Sequence, residues 1–194
     1  MPAAPVIETE RLRLTIPPLS FARRMMTYAI ENDSRLAVWE PPRPPGYFTE
    51  EYWRRRLERN HDERARDTSL RLTIQGRGEP DGPVLGHVNF NQIVRGSVQA
   101  CTLGYSIDGR SEGRGMIFEA LSAAIPFAFR ELKLHRIQAN YVPINERSGK
   151  VLRRLGFVVE GYARDYLFIG GAWRDHVLTS LTNPDPVPSP AAGL

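Results

Sequence analysis

The sequence predicts an α+β fold in which about four helices pack on a sheet of about seven strands, and three observations support this class. The runs come in the order strand, two helices, three strands, helix, strand, helix and two strands. Short turn signals separate the three central strands, which should form an antiparallel meander. At 194 residues, with 41% hydrophobic and 25% charged residues, the chain fits one domain with a full-sized core.

The first half of the chain predicts a strand, two helices and the three meander strands. Ser20 suits the N-cap of the first helix, which leads into a proline-rich connection over residues 33–47. Thr49 suits the N-cap of the second helix, because acidic residues follow at the positive end of the helix dipole. The predicted ranges are 9–16 for the strand, 20–32 and 50–66 for the helices, and 69–75, 84–94 and 98–107 for the meander.

The second half predicts two more helices and three more strands. The final two strands should form a hairpin that turns at Gly170-Gly171, and Pro126 should kink the third helix. We expect a single domain over residues 1–182 and a disordered proline-rich tail over 183–194. The predicted ranges are 113–132 and 146–155 for the helices, and 136–141, 158–169 and 173–181 for the strands.

Composition disfavours several classes of protein. No stretch approaches the roughly 20 apolar residues of a membrane span, and the N-terminus lacks the layout of a signal peptide, so we expect a cytoplasmic protein without membrane contact. The single cysteine, Cys101, excludes an internal disulfide and a cysteine-based zinc cluster. His87, His135 and His176 are too scattered to indicate a metal site. The net charge of +4 is too small to indicate nucleic-acid binding by itself.

A loop over residues 110–115, RSEGRG, carries the clearest signal for a ligand. It lies between a predicted strand and the start of a predicted helix, where unpaired backbone amides and the helix dipole suit a phosphate. Gly113 and Gly115 leave the backbone open to an anion, and Arg110 and Arg114 add positive charge. The motifs of ATP and dinucleotide loops are missing, so a different pyrophosphate is expected. A plain glycine turn is the alternative.

Two blocks of the sequence resemble the GNAT superfamily of N-acetyltransferases. RSEGRG fits the superfamily pattern [QR]-x-x-G-x-[GA], and NYVPINERSGKVLRRLGFVVEG at 140–161 resembles its second half. A closer resemblance, to the ribosomal-protein alanine N-acetyltransferases of the RimJ type, rests on VWEP, LGYSID, HRIQANY and GYARDYLFIGGAWRDHVLTSLT and covers nearly the whole chain. The middle of the second helix and the turn at 76–83 depart from this family.

The resemblance implies a mixed, mostly antiparallel sheet and a transfer of acetyl from acetyl-CoA to an N-terminal alanine, without a metal. It also implies that Asn145 contacts the pantetheine arm and that Ser148 lies near the sulfur, as proton donor or orienting group. Helix capping is the alternative role for both residues. The residues implied to contact acetyl-CoA are Ser106, Ile107, Arg110, Gly113, Arg114, Gly115, Met116, Asn145 and Ser148.

Acetyl transfer needs a neutral amine and a route for its proton. An α-amino group, with a pKa of about 7.7–8.0, is roughly 10% neutral at pH 7, so a modest base suffices. Glu40 and Asp165 are the candidate bases, and the sequence does not choose between them. Tyr105 and Tyr141 are alternative acids to Ser148. We expect direct transfer in a ternary complex, because a cysteine on a strand is usually inert.

The arginine-rich helix WRRRLERNHDERAR, at 53–66, has two interpretations. It could contact RNA or an acidic substrate, but interleaved acids favour pairs at i and i+4 on a solvated face.

Three functions remain open for the protein as a whole: an N-terminal acetyltransferase acting on a ribosomal protein, a related enzyme acting on a small amine, and a non-catalytic nucleic-acid-binding or regulatory protein. The sequence does not distinguish a monomer from a dimer.

Overall fold

The computed structural model describes residues 5–185, which contain four helices and one mixed sheet of eight strands. The sheet has the order β1-β2-β3-β4-β5-β6-β8-β7. The strands are β1 Val6–Glu8, β2 Leu12–Thr15, β3 Leu70–Gly76, β4 Gly86–Val94, β5 Ala100–Ile107, β6 Arg136–Tyr141, β7 Val158–Ile169 and β8 Ala172–Thr182. The helices are α1 Ala22–Leu36, α2 Glu50–Ala65, α3 Met116–Glu131 and α4 Glu146–Arg154.

The sheet divides between its two parallel strands. Within the described part of the chain, β5 and β6 are the one parallel pair, and only three residue pairs join them, the last being Thr102 with Gln138. Both strands continue beyond that pair, β5 to Ile107 and β6 to Tyr141. Their carboxyl ends therefore separate and leave unpaired backbone groups on both sides of a gap.

The two faces of the central sheet differ in polarity because successive side chains on a strand point to opposite faces. On one face, Leu72, Phe90 and Leu103 are buried in the main core with the apolar side of α3. The other face carries polar residues, and α1 and α2 contact it: Thr73 donates to the Met25 sulfur, and the His87 ring lies edge-on to Tyr28. The polar side chains on this face of β3 and β4 are Arg71, Thr73, Gln75, His87, Asn89 and Asn91.

The prediction for the first helix was wrong in two respects. Ser20 does not cap it, because Ser20 lies inside a short 3-10 turn and the helix begins after Phe21. The helix also continues to Leu36 instead of ending near residue 32. Asn32 bonds to Gly109 and Arg35 pairs with Glu112, both in the loop that follows β5, and these distant partners stabilise the extra turn.

The predicted first strand, residues 9–16, corresponds to β2 alone, and a further strand, β1, precedes it. The sheet therefore has eight strands instead of seven. The antiparallel meander of β3, β4 and β5 is confirmed, as are the hairpin turn at Gly170 and Gly171 and the Thr49 cap, whose hydroxyl accepts from the Tyr52 amide at 3.2 Å. Helix α3 begins at Met116 instead of residue 113, because Gly113 and Gly115 have positive φ.

The tail prediction concerns residues 183–194, of which 186–194 lie outside the described residues. Between residues 5 and 185, no helix combines the length and the apolar composition needed to cross a membrane. Pro126 lies inside α3 as expected.

Candidate active site

One large cleft, with a volume of about 1590 Å³, follows the gap between β5 and β6. Its walls are the glycine loop with the start of α3, the start of α4, and the α1–α2 connection with α2. Its floor includes the polar face of β3, β4 and β5. Of the residues implied to contact acetyl-CoA, the cleft brings together Ser106, Ile107, Gly113, Gly115, Met116, Asn145 and Ser148.

The glycine loop presents its backbone to the cleft. Gly113 and Gly115 both have a φ of +73°, a left-handed conformation that glycine adopts without strain. The first amide of α3 that reaches a backbone acceptor within residues 5–185 belongs to Glu119, which donates to the Gly115 carbonyl at 3.0 Å. The amides of residues 116–118 precede it and have no intrahelical partner. A Cβ placed on Gly113 would meet no described atom within 4 Å, so the space over this backbone is open.

Helix α1 holds the loop in place. The Asn32 side chain accepts from the Gly109 amide at 3.0 Å and donates to the Asp108 carboxylate at 3.3 Å. Arg35 donates to the Ile107 carbonyl and pairs with Glu112. Sequence reasoning missed both α1 residues, since their partners lie more than 70 residues away.

Arg110 and Arg114 do not line the cleft within the described chain. Arg110 donates to Asp108 at 2.8 Å and pairs with Glu31 at 2.6 Å. The Arg110 hydrogen bonds lower the pKa of Asp108 to about 2, although burial acts in the opposite direction. Two carboxylates thus balance the charge of Arg110, which holds the loop on the side that faces away from the cleft. The Arg114 carbonyl accepts from Arg11 at 3.1 Å.

The start of α4 places a hydroxyl pair beside the gap. Asn145 caps the helix, its side-chain oxygen accepting from the Ser148 amide at 3.2 Å. The Ser148 hydroxyl lies 2.8 Å from the Tyr105 hydroxyl of β5. Burial raises the pKa of Tyr105 to about 12, so this phenol stays protonated at neutral pH. The Tyr141 ring packs so closely on Gly149 that a Cβ there would lie 2.9 Å from it, which explains the glycine.

The two candidate bases differ in their position relative to the cleft. Glu40, in the α1–α2 connection, lines the cleft and forms an ion pair with Arg43, which also donates to Asp33 at 3.0 Å. Asp165 lies in a bulge of β7, where its amide donates to Asp175 at 2.9 Å, and it is not among the described residues that line the cleft.

Two further nucleophilic or basic side chains have shifted pKa values. Burial raises the pKa of the Cys101 thiol to about 12, and the side chain lies in the core. Burial, and then the nearby Arg71 guanidinium, lower the pKa of His87 to about 4. At neutral pH the thiolate is scarce and the imidazole is uncharged. Among residues 5–185 no group of three or more histidine, cysteine or acidic side chains is arranged to hold a metal ion.

The arginine-rich helix α2 differs in detail from its predicted pairing. The i to i+4 pairs join Arg54 to Glu50 and Arg55 to Glu51, two acids that precede the stretch 53–66 instead of lying within it. Glu63 instead pairs with Arg56, seven residues away. The His61 ring, also on α2, lies 3.1 Å from the Pro17 carbonyl.

A mixed sheet that divides between two parallel strands, with a glycine loop after the first of them, defines the class that the resemblance implied, the GNAT acetyltransferases. Residues 13–158 match the family described as the acetyltransferase (GNAT) domain. The [ribosomal protein uS5]-alanine N-acetyltransferase of Escherichia coli (strain K12) is 44% identical over 182 residues, covering 94% of this chain and 93% of that protein. The chain belongs to the acetyltransferase (GNAT) family, and its resemblance to the RimJ type is confirmed.

Solved structures agree with this assignment. The ribosomal-protein-S5-alanine acetyltransferase from Vibrio fischeri has a TM-score of 0.88 at 36% identity, covering 93% of this chain and 98% of that one. Mycobacterium smegmatis RimJ, in complex with CoA-disulfide, has a TM-score of 0.84 at 24% identity, covering 97% and 91%, and supports the fold alone.

Proposed function

We propose that this protein acetylates the N-terminal α-amine of a protein, an alanine of a ribosomal protein in the cytoplasm, using acetyl-CoA in a ternary complex. The observation that carries the proposal is that one cleft, with a volume of about 1590 Å³, joins the glycine loop and the Ser148–Tyr105 pair to the polar face of β3, β4 and β5. The uS5-alanine specificity named for the E. coli relative, at 44% identity, supports alanine as the acceptor residue.

The residues on one side of the cleft fit acetyl-CoA. Open backbone at Gly113 and the free amides at the start of α3 suit the pyrophosphate. The separated ends of β5 and β6 leave backbone groups that an extended pantetheine arm would satisfy. Asn145 and Ser148 lie at the next helix start along the cleft.

The chemistry is direct transfer. The neutral α-amine attacks the thioester carbonyl, the C–N bond forms, the C–S bond breaks, and the departing thiolate takes a proton. Ser148 supplies that proton, Tyr105, hydrogen-bonded to it, replaces it, and water in the cleft returns a proton to Tyr105. Glu40 accepts the proton of the amine, directly or through water, because it is the candidate base that lines the cleft. The buried, protonated Cys101 thiol supports a route without an acetyl-cysteine.

The test measures thiol release from acetyl-CoA, with mass spectrometry of the product, on three acceptors. These are a peptide with a free N-terminal alanine, the same peptide with a blocked α-amine and an internal lysine, and a panel of small amines. We expect turnover of the free-alanine peptide alone. Turnover of small amines alone would replace the proposal with a small-molecule acetyltransferase. Acetyl-CoA binding without turnover of any of these acceptors would favour a non-catalytic role.

A further inference from the structure

Helix α2 turns a polar stripe toward the cleft where an amphipathic helix normally carries apolar residues. Trp53, Arg56 and Asn60 line the cleft, and Glu63 follows in the same stripe, at spacings of three, four and three residues. These side chains face the polar side of β3 and β4, since Glu63 also pairs with Arg71 of β3 at 3.2 Å. The stripe and this part of the sheet form a pocket that adjoins the cleft, which we call the α2 pocket.

The α2 pocket holds more positive than negative charge. Arg56 and Arg71 share one carboxylate, Glu63, which lies 2.8 Å from Arg56 and 3.2 Å from Arg71. Burial would raise the pKa of Glu63, but hydrogen bonds from Ser69 and Arg56 lower it to about 2, so it is ionised. Burial and the Arg56 charge lower the pKa of Arg71. Two guanidinium groups thus face one carboxylate, and a second carboxylate would balance them.

The α2 pocket also contains buried polar atoms without partners. Among residues 5–185, the Trp53 indole nitrogen and the Asn60 side-chain oxygen are buried without a hydrogen bond. The two residues are only 8% and 5% exposed. Buried donors and acceptors in proteins are nearly always paired, so unpaired atoms on two residues that line a cleft indicate a polar ligand. An indole N–H donates to a carboxylate, and an amide oxygen accepts from a peptide N–H.

The sheet register places the α2 pocket near the reaction. Arg71 pairs with Asn89 of β4, and Asn89 pairs with Gly104 of β5, beside the gap. Two strand spacings correspond to about 10 Å, and an extended peptide advances about 3.3 Å per residue. A peptide whose α-amine lies at the gap would therefore bring its third or fourth residue to the α2 pocket.

We propose that the α2 pocket binds an acidic side chain near the N-terminus of the acceptor polypeptide, with Arg71, Arg56 and the Trp53 N–H as its ligands. This inference rests on the proposed function and extends it, because it makes the acceptor sequence beyond alanine a determinant of specificity. The Arg71 guanidinium forms an ion pair with the carboxylate of the acidic side chain. The Trp53 N–H donates a hydrogen bond to the same carboxylate and fixes its orientation.

The test compares matched acceptor peptides that begin with a free alanine and carry either glutamate or glutamine at one position, from the second to the sixth. We expect kcat/KM to favour glutamate by about tenfold or more at the third or fourth residue. In Arg71→Gln the ratio should fall toward one, while Arg55→Gln, on the solvent side of α2, should keep it. The ratio is independent of the fraction of folded enzyme, so partial misfolding of a variant does not affect it.

Equal kcat/KM for the glutamate and glutamine peptides at every position would overturn the proposal and leave the N-terminal acetyltransferase activity in place. A glutamate preference that survives in Arg71→Gln and Arg56→Gln would overturn it as well, because another group would then read the charge. Failure to turn over any free-alanine peptide would contradict the proposed function itself, and the α2 pocket proposal with it.

Discussion

The hydroxyl pair of Ser148 and Tyr105 is the part of the site where single atoms decide the chemistry. A serine hydroxyl alone is a poor acid, but a second hydroxyl at 2.8 Å can restore the proton as it leaves. The raised pKa of Tyr105 means that the phenol is always available as a donor at neutral pH. The two residues that the sequence offered as separate candidates thus lie within hydrogen-bond distance of each other.

We expect Ser148→Ala to lower kcat about 100-fold, the usual size of a general acid–base contribution, with little change in the Kd of acetyl-CoA. Tyr105→Phe should lower kcat about tenfold, because one hydrogen bond to Ser148 is lost. Steady-state kinetics with calorimetry of acetyl-CoA binding checks both. Tyr162→Phe, whose hydroxyl contacts Asp175 away from the cleft, is the control. Full activity of Ser148→Ala would reduce the serine to part of a helix cap.

Single substitutions also test which of Glu40 and Asp165 accepts the proton of the amine. We expect Glu40→Gln to lower kcat/KM by about 10- to 100-fold at pH 7. The deficit should shrink as the pH rises through the α-amine pKa of about 8, since the amine is then already neutral. Asp165→Asn should retain activity. The pH–rate profiles of both variants decide this, and Arg43→Gln measures the effect of losing the ion pair alone. A profile of Glu40→Gln parallel to the wild type would rule out Glu40 as the base.

Among the elements, the loop between β5 and α3 depends on its two glycines and on α1. Gly113 provides both a left-handed turn and open space, so an added methyl group would cost strain and also obstruct an approaching phosphate. Gly96, between β4 and β5, has a similar φ of +69° and equally open surroundings outside the cleft. Comparing the same substitution at the two positions therefore distinguishes the effect of backbone strain from the effect of a blocked ligand contact.

We expect Gly113→Ala and Gly96→Ala to lose a similar stability, about 1 kcal/mol each, because both force a side chain into the left-handed region. Only Gly113→Ala should also raise the Kd of acetyl-CoA, by about tenfold or more. Thermal unfolding gives the first quantity and calorimetry the second. An unchanged Kd in Gly113→Ala would remove this loop from the binding site.

The elements also show what a sequence can and cannot predict. The glycine loop and the Asn145 cap were predictable because positive φ and capping are local requirements of particular residue types. The Asn32 and Arg35 contacts were not, since their partners are set by tertiary packing. Ser20 failed as a cap for a related reason: a capping residue type marks several possible starts, and packing of Phe21 in the α1–α2 core selects one.

Across the whole molecule, two segments that are far apart in the chain meet next to Glu40, which lines the cleft. The α1–α2 connection meets the β7–β8 hairpin, where the Gly170 amide donates to the Glu40 carbonyl at 3.2 Å. A Cβ on Gly170 would lie 3.0 Å from the Val38 carbonyl oxygen. This contact fixes the position of the segment that carries Glu40, far from the acetyl-CoA loop in sequence.

We expect Gly170→Val to push the hairpin away from the α1–α2 connection and so to raise KM for the acceptor peptide several-fold, while the Kd of acetyl-CoA stays unchanged. Gly171→Val is the matched control: its φ of +81° imposes comparable strain, but its Cβ would meet no described atom within 4 Å. Peptide kinetics on both variants gives KM for the acceptor, and calorimetry gives the Kd of acetyl-CoA, so effects on the two ligands are measured independently. If both variants raise KM equally, hairpin strain, and not its contact with the Glu40 segment, controls acceptor binding.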